Sequence, residues 1–399
     1  MNPFYEKIIT QREDSCFKDD IEENSLGLKK MVAGSRIAVI GAAGSIGSAV
    51  AKTILRFSPG GLVLIDISEN NLVELVRDLR SSSDVKLPKE FSTLPIAMGT
   101  LEFNRYFAES KQPFDYFFNL AAIKHVRSEK DIYCLIRMID TNVIFMHDFL
   151  EESHCKFKKV FSVSSDKAAN PANLMGATKM AMEQTLLYRS GIQPFSTARF
   201  ANVAFSDGSL PYGFLRRIEK RQPLAAPNDV RRYFISHQEA GELCALAAFT
   251  GDNRDVFFPK LAESRDEKTF SRIAEDLLRK LNYEPFVCES EEEAKRRIEE
   301  LIPERKWPCY FFKSDTTGEK DYEEFYTTSE NVDLERFKSV GVIERDGEID
   351  RSRVEKFLSF AKSAKNRKDL AKSDYVTALA DLVPSLSHLE TGKNLDGKM

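Results

Sequence analysis

The stretch RIAVIGAAGSIGSAVAKTIL, residues 36–55, limits the possible folds of this 399-residue chain more than any other segment. A short apolar run is followed by a glycine-rich turn and then by a run free of helix breakers. That order reads as a buried strand, a tight turn and a helix. A second apolar run, GLVLIDIS at 61–68, comes next and ends in an acid. Strand, helix and strand at this spacing form a crossover unit, and crossover units require a parallel sheet.

The alternation continues. TLPIAMGT, FDYFFNLAA, KKVFSVSS and QPFSTARFANV are further β-rich runs, and helical segments such as Asn70–Arg80 and Asp131–Glu152 separate them. The runs are almost continuously apolar, as strands covered on both faces should be. The expected fold is therefore α/β: a Rossmann-type doubly wound parallel sheet with a smaller C-terminal substrate-binding lobe and peripheral helices. The expected divisions are an N-terminal arm outside the main fold (1–33), a dinucleotide-binding domain (34–205), a lobe for substrate (206–335), and C-terminal helices and tail (336–399). The charged run SEEEAKRRIEELI reads as a solvated helical face, and Pro384 ends the last helix.

Composition removes several classes of function. A formal net charge of −4 gives no support for nucleic acid or an anionic membrane as the main partner. No stretch reaches about 18 apolar residues, so no membrane span is expected. The start, MNPFYEKIITQREDS, lacks the basic and apolar regions of a signal peptide. The six cysteines show neither CxxC nor metal-ligand spacing. They read as reduced thiols of a cytoplasmic protein without a metal.

The glycine turn carries chemistry. Gly41 permits the tight turn, Gly44 lets the backbone approach a pyrophosphate, and Gly47 lets helix and strand pack closely. With Ser45 and Ile46 they open a helix whose free N–H groups favour an anion. Asp66 ends the second strand 19 residues beyond Gly47. An acid there binds both adenosine ribose hydroxyls and repels a 2′-phosphate, so NAD is favoured over NADP. The competing role for Asp66 is the N-cap of the Asn70–Arg80 helix.

Several segments then occur in one order: GAAGSIGS (41–48), NLAAIKHV (119–126), TNV (141–143), SVSSDKAANPANLMGATK (162–179), ARFANV (198–203), RRYFIS (231–236) and TGEKDYEEF (317–325). In these the chain resembles the extended short-chain dehydrogenase/reductase superfamily. Within it, the chain is similar to the nucleotide-sugar 4,6-dehydratases of the polysaccharide-biosynthesis branch, in the subset with methionine in place of the catalytic tyrosine. The resemblance covers roughly residues 36–326.

The resemblance implies a lyase that converts UDP-N-acetylglucosamine to its 4-keto-6-deoxy product for a bacterial surface glycan, polysaccharide or nonulosonic acid, recycling its NAD. It implies Asp166 as the acid for the C6 hydroxyl and Lys167 as the base for the C5 proton. Ser165 would hold the sugar, and Lys179 the nicotinamide ribose. Met175 occupies the tyrosine position and cannot take a proton, so Asp166, Lys179 or an ordered water would receive the one from O4. Ala121, Ala122 and Lys124 would line the cofactor, with Lys124 also reaching the substrate. Asn142 would support the catalytic helix through backbone hydrogen bonds. Asn202, Arg232 and Glu319 would contact the nucleotide sugar. The family's arginine three residues before that last acid is Thr316 here, which leaves Arg216, Arg217 or Arg231 for the phosphate. Relatives pair helices across a dimer, so a homo-oligomer is implied. Two other functions stay open: a UDP-sugar C4 epimerase, and a nucleotide-sugar-binding protein without catalysis.

Overall fold

A computed structural model describes residues 3–153, 155–261, 267–314, 324–365 and 367–388. Its main sheet begins with six parallel strands: β1 (Arg36–Ile40), β2 (Gly61–Ile65), β3 (Glu90–Leu94), β4 (Tyr116–Asn119), β5 (Lys159–Ser165) and β6 (Phe195–Phe200). Later strands are β7 (Asn202–Val203), β8 (Leu224–Pro227), β9 (Arg231–Ile235), β10 (Val256–Pro259), β11 (Glu267–Thr269), β12 (Glu284–Cys288), β13 (Lys306–Phe312), β14 (Asn331–Asp333) and β15 (Val340–Glu344).

The sheet has nine strands in the order β14-β15-β10-β6-β5-β4-β1-β2-β3. Seven pair in parallel; β15 runs antiparallel to β10, and β14 pairs antiparallel with β15 at the edge. The order 3-2-1-4-5-6 is that of a doubly wound dinucleotide-binding sheet. β1, β2, β4 and β5 are buried along nearly their whole length, which explains their unbroken apolar runs.

Each face has its own apolar layer. Helices Ser45–Leu55, Glu69–Ser81 and His237–Thr250 cover one face. Gly241 lets the last of these lie directly on the first, because a Cβ there would sit 2.6 Å from Ala49 O. On the other face lie Leu101–Ala108, the helical run from Ile132 to Glu152, Leu174–Arg189 and the C-terminal helices Arg351–Ala364 and Lys372–Leu382. A third cluster, with Phe214, Leu277 and Trp307 at its centre, fills the smaller lobe. There β8 pairs with β13 and β13 with β12, while β7, β9 and β11 form a separate ladder.

Three expectations from the sequence need correction. The N-terminal arm is part of the body: Phe17, Ile21, Leu28 and Val32 are buried in the first layer, and Ile8 and Ile9 in the lobe. The divisions at 206 and 336 are crossed, because β10, β14 and β15 return to the main sheet from beyond residue 205. The C-terminal helices are not an external decoration, since Val354, Phe357, Leu379 and Leu382 join the core over the Leu174–Arg189 helix. Local offsets are smaller. β3 starts before TLPIAMGT and stops at Leu94. The helix expected over Asp131–Glu152 contains a π turn at Asp140–Ile144.

Candidate active site

Crevices for ligands in such sheets open at the carboxyl ends of strands flanking the point where strand order reverses. Here that point lies between β1 and β4. The glycine turn leaves β1 there. Gly41 has φ +74°, and a Cβ on it would come within 2.7 Å of Ala121 N, so the turn and the segment after β4 are in direct contact. A Cβ on Gly47 would lie 2.0 Å from Gly41 O, so the helix can start only with glycine there. Gly44 differs: its Cβ would have one neighbour, Gly41 O at 3.4 Å, and otherwise open space. It also caps the Ser45–Leu55 helix without a side-chain acceptor. Open backbone in front of an uncapped helix start can hold a pyrophosphate.

Asp66 lies just past β2. Its Oδ2 accepts the Ala43 N–H at 3.0 Å, and its Oδ1 accepts the Ser68 N–H at 2.9 Å. The N-cap of the following helix is Ser68, not Asp66. The carboxylate thus sits against the glycine turn, where an adenosine ribose would be bound. Ser45 has a different partner, since its Oγ accepts the Asp207 N–H at 2.9 Å and ties the loop after β7 to the turn. Ile46 is half-buried and packs on the first apolar layer.

Ala121 and Ala122 are half-buried after β4. Lys124 is exposed over part of its side chain, while its Nζ turns in to 3.5 Å from Ser206 Oγ. Loss of water around its ammonium lowers its pKa, and Asp207 opposes that. Asn142 sits in the π turn and is buried. It accepts from Ile123 N at 2.9 Å and donates to Ile123 O at 3.0 Å. Its third bond, 2.9 Å to Thr178 Oγ1, reaches the Leu174–Arg189 helix through a side chain, while its bonds to backbone go to Ile123. The extra residue of a π turn turns Asn142 inward to make all three.

The Ser-Ser-Asp-Lys segment forms the end of β5 and a 3₁₀ turn, Asp166–Ala168. Asp166 is 2% exposed. Its Oδ1 accepts from Ser165 Oγ at 2.8 Å, Lys167 N at 2.8 Å and Lys167 Nζ at 3.0 Å. Adjacent side chains in an extended strand would point to opposite faces; the 3₁₀ turn is what brings these two together. Lys167 keeps some exposure, 19% of its side chain.

The Leu174–Arg189 helix lies directly over that turn. A Cβ on Gly176 would meet Lys167 O at 2.4 Å, so glycine permits the contact. Asn173 caps the helix by accepting the Gly176 N–H at 2.8 Å. Met175 is buried, and its N–H donates to Glu129 Oε1 at 2.8 Å. Lys179, 4% exposed, donates from Nζ to Val163 O at 2.9 Å, which brings it onto β5 beside the Asp166 turn. Burial lowers its pKa to about 8, with the negative charge of Glu183 pulling the other way.

Asn202 and Arg232 lie on neighbouring strands, β7 and β9. Asn202 Nδ2 donates to Tyr233 O at 3.4 Å, and buried Arg232 donates to Arg231 O at 2.7 Å. Of the alternative phosphate ligands, Arg231 is exposed and 3.8 Å from Glu267, and Arg216 is exposed and paired with Glu219. Glu319 and Thr316 lie outside the described residues. Glu129, Thr178 and Glu183 join the site only in the folded chain. A carboxylate at helical spacing from Lys179 was the available signal for Glu183; for Glu129 and Thr178 there was none.

Comparisons with known proteins agree with this architecture. The family model described as polysaccharide biosynthesis protein matches residues 37–345. A protein of Methanocaldococcus jannaschii, named uncharacterized membrane protein MJ1061, is 29% identical over 82% of this chain and 91% of its own. Among the described residues here, no helix is long and apolar enough to cross a membrane. The capsular polysaccharide biosynthesis protein CapD of Staphylococcus aureus is 28% identical over 61% of this chain, and the match spans 41% of CapD. The X-ray structure of Pen from Bacillus thuringiensis shares the fold, with TM-score 0.63 over 88% of this chain and 98% of its own at 20% identity. The family match runs from the first strand of the sheet to the last, and the chain belongs to the polysaccharide biosynthesis protein family.

Proposed function

We propose that this protein is a nucleotide-sugar 4,6-dehydratase that binds NAD in the Gly41–Gly47 turn and acts on UDP-N-acetylglucosamine to supply a surface glycan. The observation that carries this reading is the pairing of buried Asp166 with partly exposed Lys167 at 3.0 Å, beside the helix that bears Lys179. An epimerase needs no second acid and base; an elimination needs both.

NAD, held by the Gly41–Gly47 turn, would supply a hydride acceptor and donor, so that redox would balance within one turnover. The chain's residues handle the protons. Proton transfer across the Asp166–Lys167 contact converts ammonium and carboxylate into amine and carboxylic acid. A sugar closing over the pair removes water, which weakens the preference for the charged form. With C4 oxidised to a ketone, the C5 hydrogen becomes acidic. Lys167 takes it, the C6–O bond breaks, and Asp166 gives its proton to the departing hydroxyl, which leaves as water. Lys167 then returns its proton to C5 as C6 is reduced. The proton lost from O4 leaves through an ordered water to solvent, and one proton returns from solvent to Asp166 after the elimination, so the protons balance over the turnover. Ser165 Oγ, fixed by its bond to Asp166, orients a sugar hydroxyl. Lys179 keeps positive charge near the oxidised oxygen, and Met175 takes no proton.

The test is incubation with UDP-N-acetylglucosamine and NAD, read by mass and NMR of the product. The expected product is lighter by one water. Asp166→Asn and Lys167→Ala each lower turnover at least ~100-fold while NAD binding persists. A product of unchanged mass would assign a C4 epimerase instead, and wild-type rates in both variants would reject the roles given to the pair.

A further inference from the structure

Beneath the site lies a group of charges that the proposed reaction does not use. Glu183 stands one turn beyond Lys179 on the same helix. Its Oε1 accepts from Ser164 Oγ at 2.6 Å and Arg199 Nε at 3.0 Å; its Oε2 accepts from Arg199 Nη2 and Arg345 Nη2, both at 2.8 Å. Glu330 accepts from Arg199 Nη1 and Nη2, both at 2.8 Å, and lies 2.9 Å from Arg345 Nη2, while Arg345 Nε is buried without a hydrogen-bond partner among the described residues. Arg199 is fully buried on β6, and its Nη1 also donates to Phe325 O at 2.9 Å. Two arginines and two glutamates therefore close a neutral cluster inside the protein.

A buried cluster of this kind is weak evidence for stability, because apolar packing would serve as well. Its placement suggests another purpose. It joins four pieces of the site's frame: β5 through Ser164, the catalytic helix through Glu183, β6 through Arg199 and the chain after β15 through Arg345. We propose that Glu183 is a positioning residue of the active site: clamped by Arg199, Arg345 and Ser164, its carboxylate keeps Lys179 charged and docked on β5. This rests on the reading that Lys179 belongs to the active site.

Other charged groups surround the helix. The turn after β5 brings Asp166 and Lys167, the turn Val126–Glu129 brings Glu129, the π turn brings Asp140, and the Ile132–Ile139 helix brings Arg137. The C-terminal helices hold their charged groups exposed or half-exposed. Glu183 is the group whose charge acts on Lys179. It stays ionised because Arg199 and Arg345 outweigh its burial, which holds it at about 2. Replacing Glu183 leaves two arginines facing one glutamate, and this excess positive charge disfavours a protonated Lys179. Replacing Arg345 leaves excess negative charge, with the opposite result.

The experiment uses the full chain without substrate. Lysines carry carbon-13 at Cε, and the Lys179 signal is assigned by its loss in Lys179→Met. Its titration midpoint is expected near about 8. Glu183→Gln should move it down by about one pH unit and Arg345→Met should move it up, since a neighbouring charge acts on that scale. A residue that only held the fold would lower stability without producing opposite shifts. If Glu183→Gln does not fold, Arg345→Met, at an 18% exposed side chain, decides alone. Midpoints equal in all folded variants overturn the proposal. Because no sugar is present, failure of turnover on UDP-N-acetylglucosamine bears on the dehydratase reading and leaves this result standing.

Discussion

Lys179 shows what burying a single ammonium costs. Its ammonium is buried against Val163 O, and burial takes its pKa from the usual lysine range to about 8. A base whose pKa is lowered on folding binds its proton less well in the folded state. It therefore opposes folding fully below pH 8, and the penalty disappears as the pH rises toward the ordinary lysine value. The penalty is on the order of 3 kcal/mol at pH 7. Lys179→Met should thus raise the thermal midpoint at pH 7 while abolishing turnover, with the gain shrinking by pH 10. Scanning calorimetry at both pH values checks this, and an equal change at the two would refute it. Asp166, Lys167 and Lys179 could be named from the sequence because their motif is contiguous. Glu183 could not, because what gives it a role is Arg199 on another strand and Arg345 far along the chain.

At the level of elements, the glycine turn separates two uses of one residue type. A Cβ on Gly47 would overlap backbone atoms of Gly41 and Ala42, whereas one on Gly44 would project into open space, where we propose that the pyrophosphate binds. Gly47→Ala should cost at least ~3 kcal/mol, seen as a lower urea midpoint. Gly44→Ala should keep the midpoint and weaken NAD binding, measured by titration calorimetry. Equal stability loss in both variants would contradict this division. Most strands and helices were legible because period and breakers are local properties. The π turn was not, since its extra residue is sustained by the bonds from Asn142 to Ile123 and Thr178, neither of which is near in sequence.

At the scale of the whole molecule, distant segments complete the body. Arg12, from the arm, donates from Nε and Nη2 to buried Glu239 and from Nη2 to Phe234 O. Burial would raise the pKa of Glu239, but Arg12 and the N–H groups of Ser236 and Cys16 hold it below the usual carboxylate range. Arg12→Ala should destabilise the protein by about 3 kcal/mol at pH 7, since it strands a buried carboxylate. A thermal midpoint within a degree of wild type would show that the arm is dispensable. At the other end, Ser387 N donates to Pro171 O in the catalytic loop at 3.0 Å. By itself the sequence determined the alternation of strands and helices, the glycine turn and the contiguous string at 162–179, all written in neighbouring residues. Only the tertiary structure decided that the N-terminal arm and the C-terminal helices pack into the core, that β10, β14 and β15 extend the sheet, and that Lys179 has a charged cluster beneath it. Those outcomes depend on apolar faces and buried charges finding partners far away in the chain, and spacing along a sequence does not encode which partner is found.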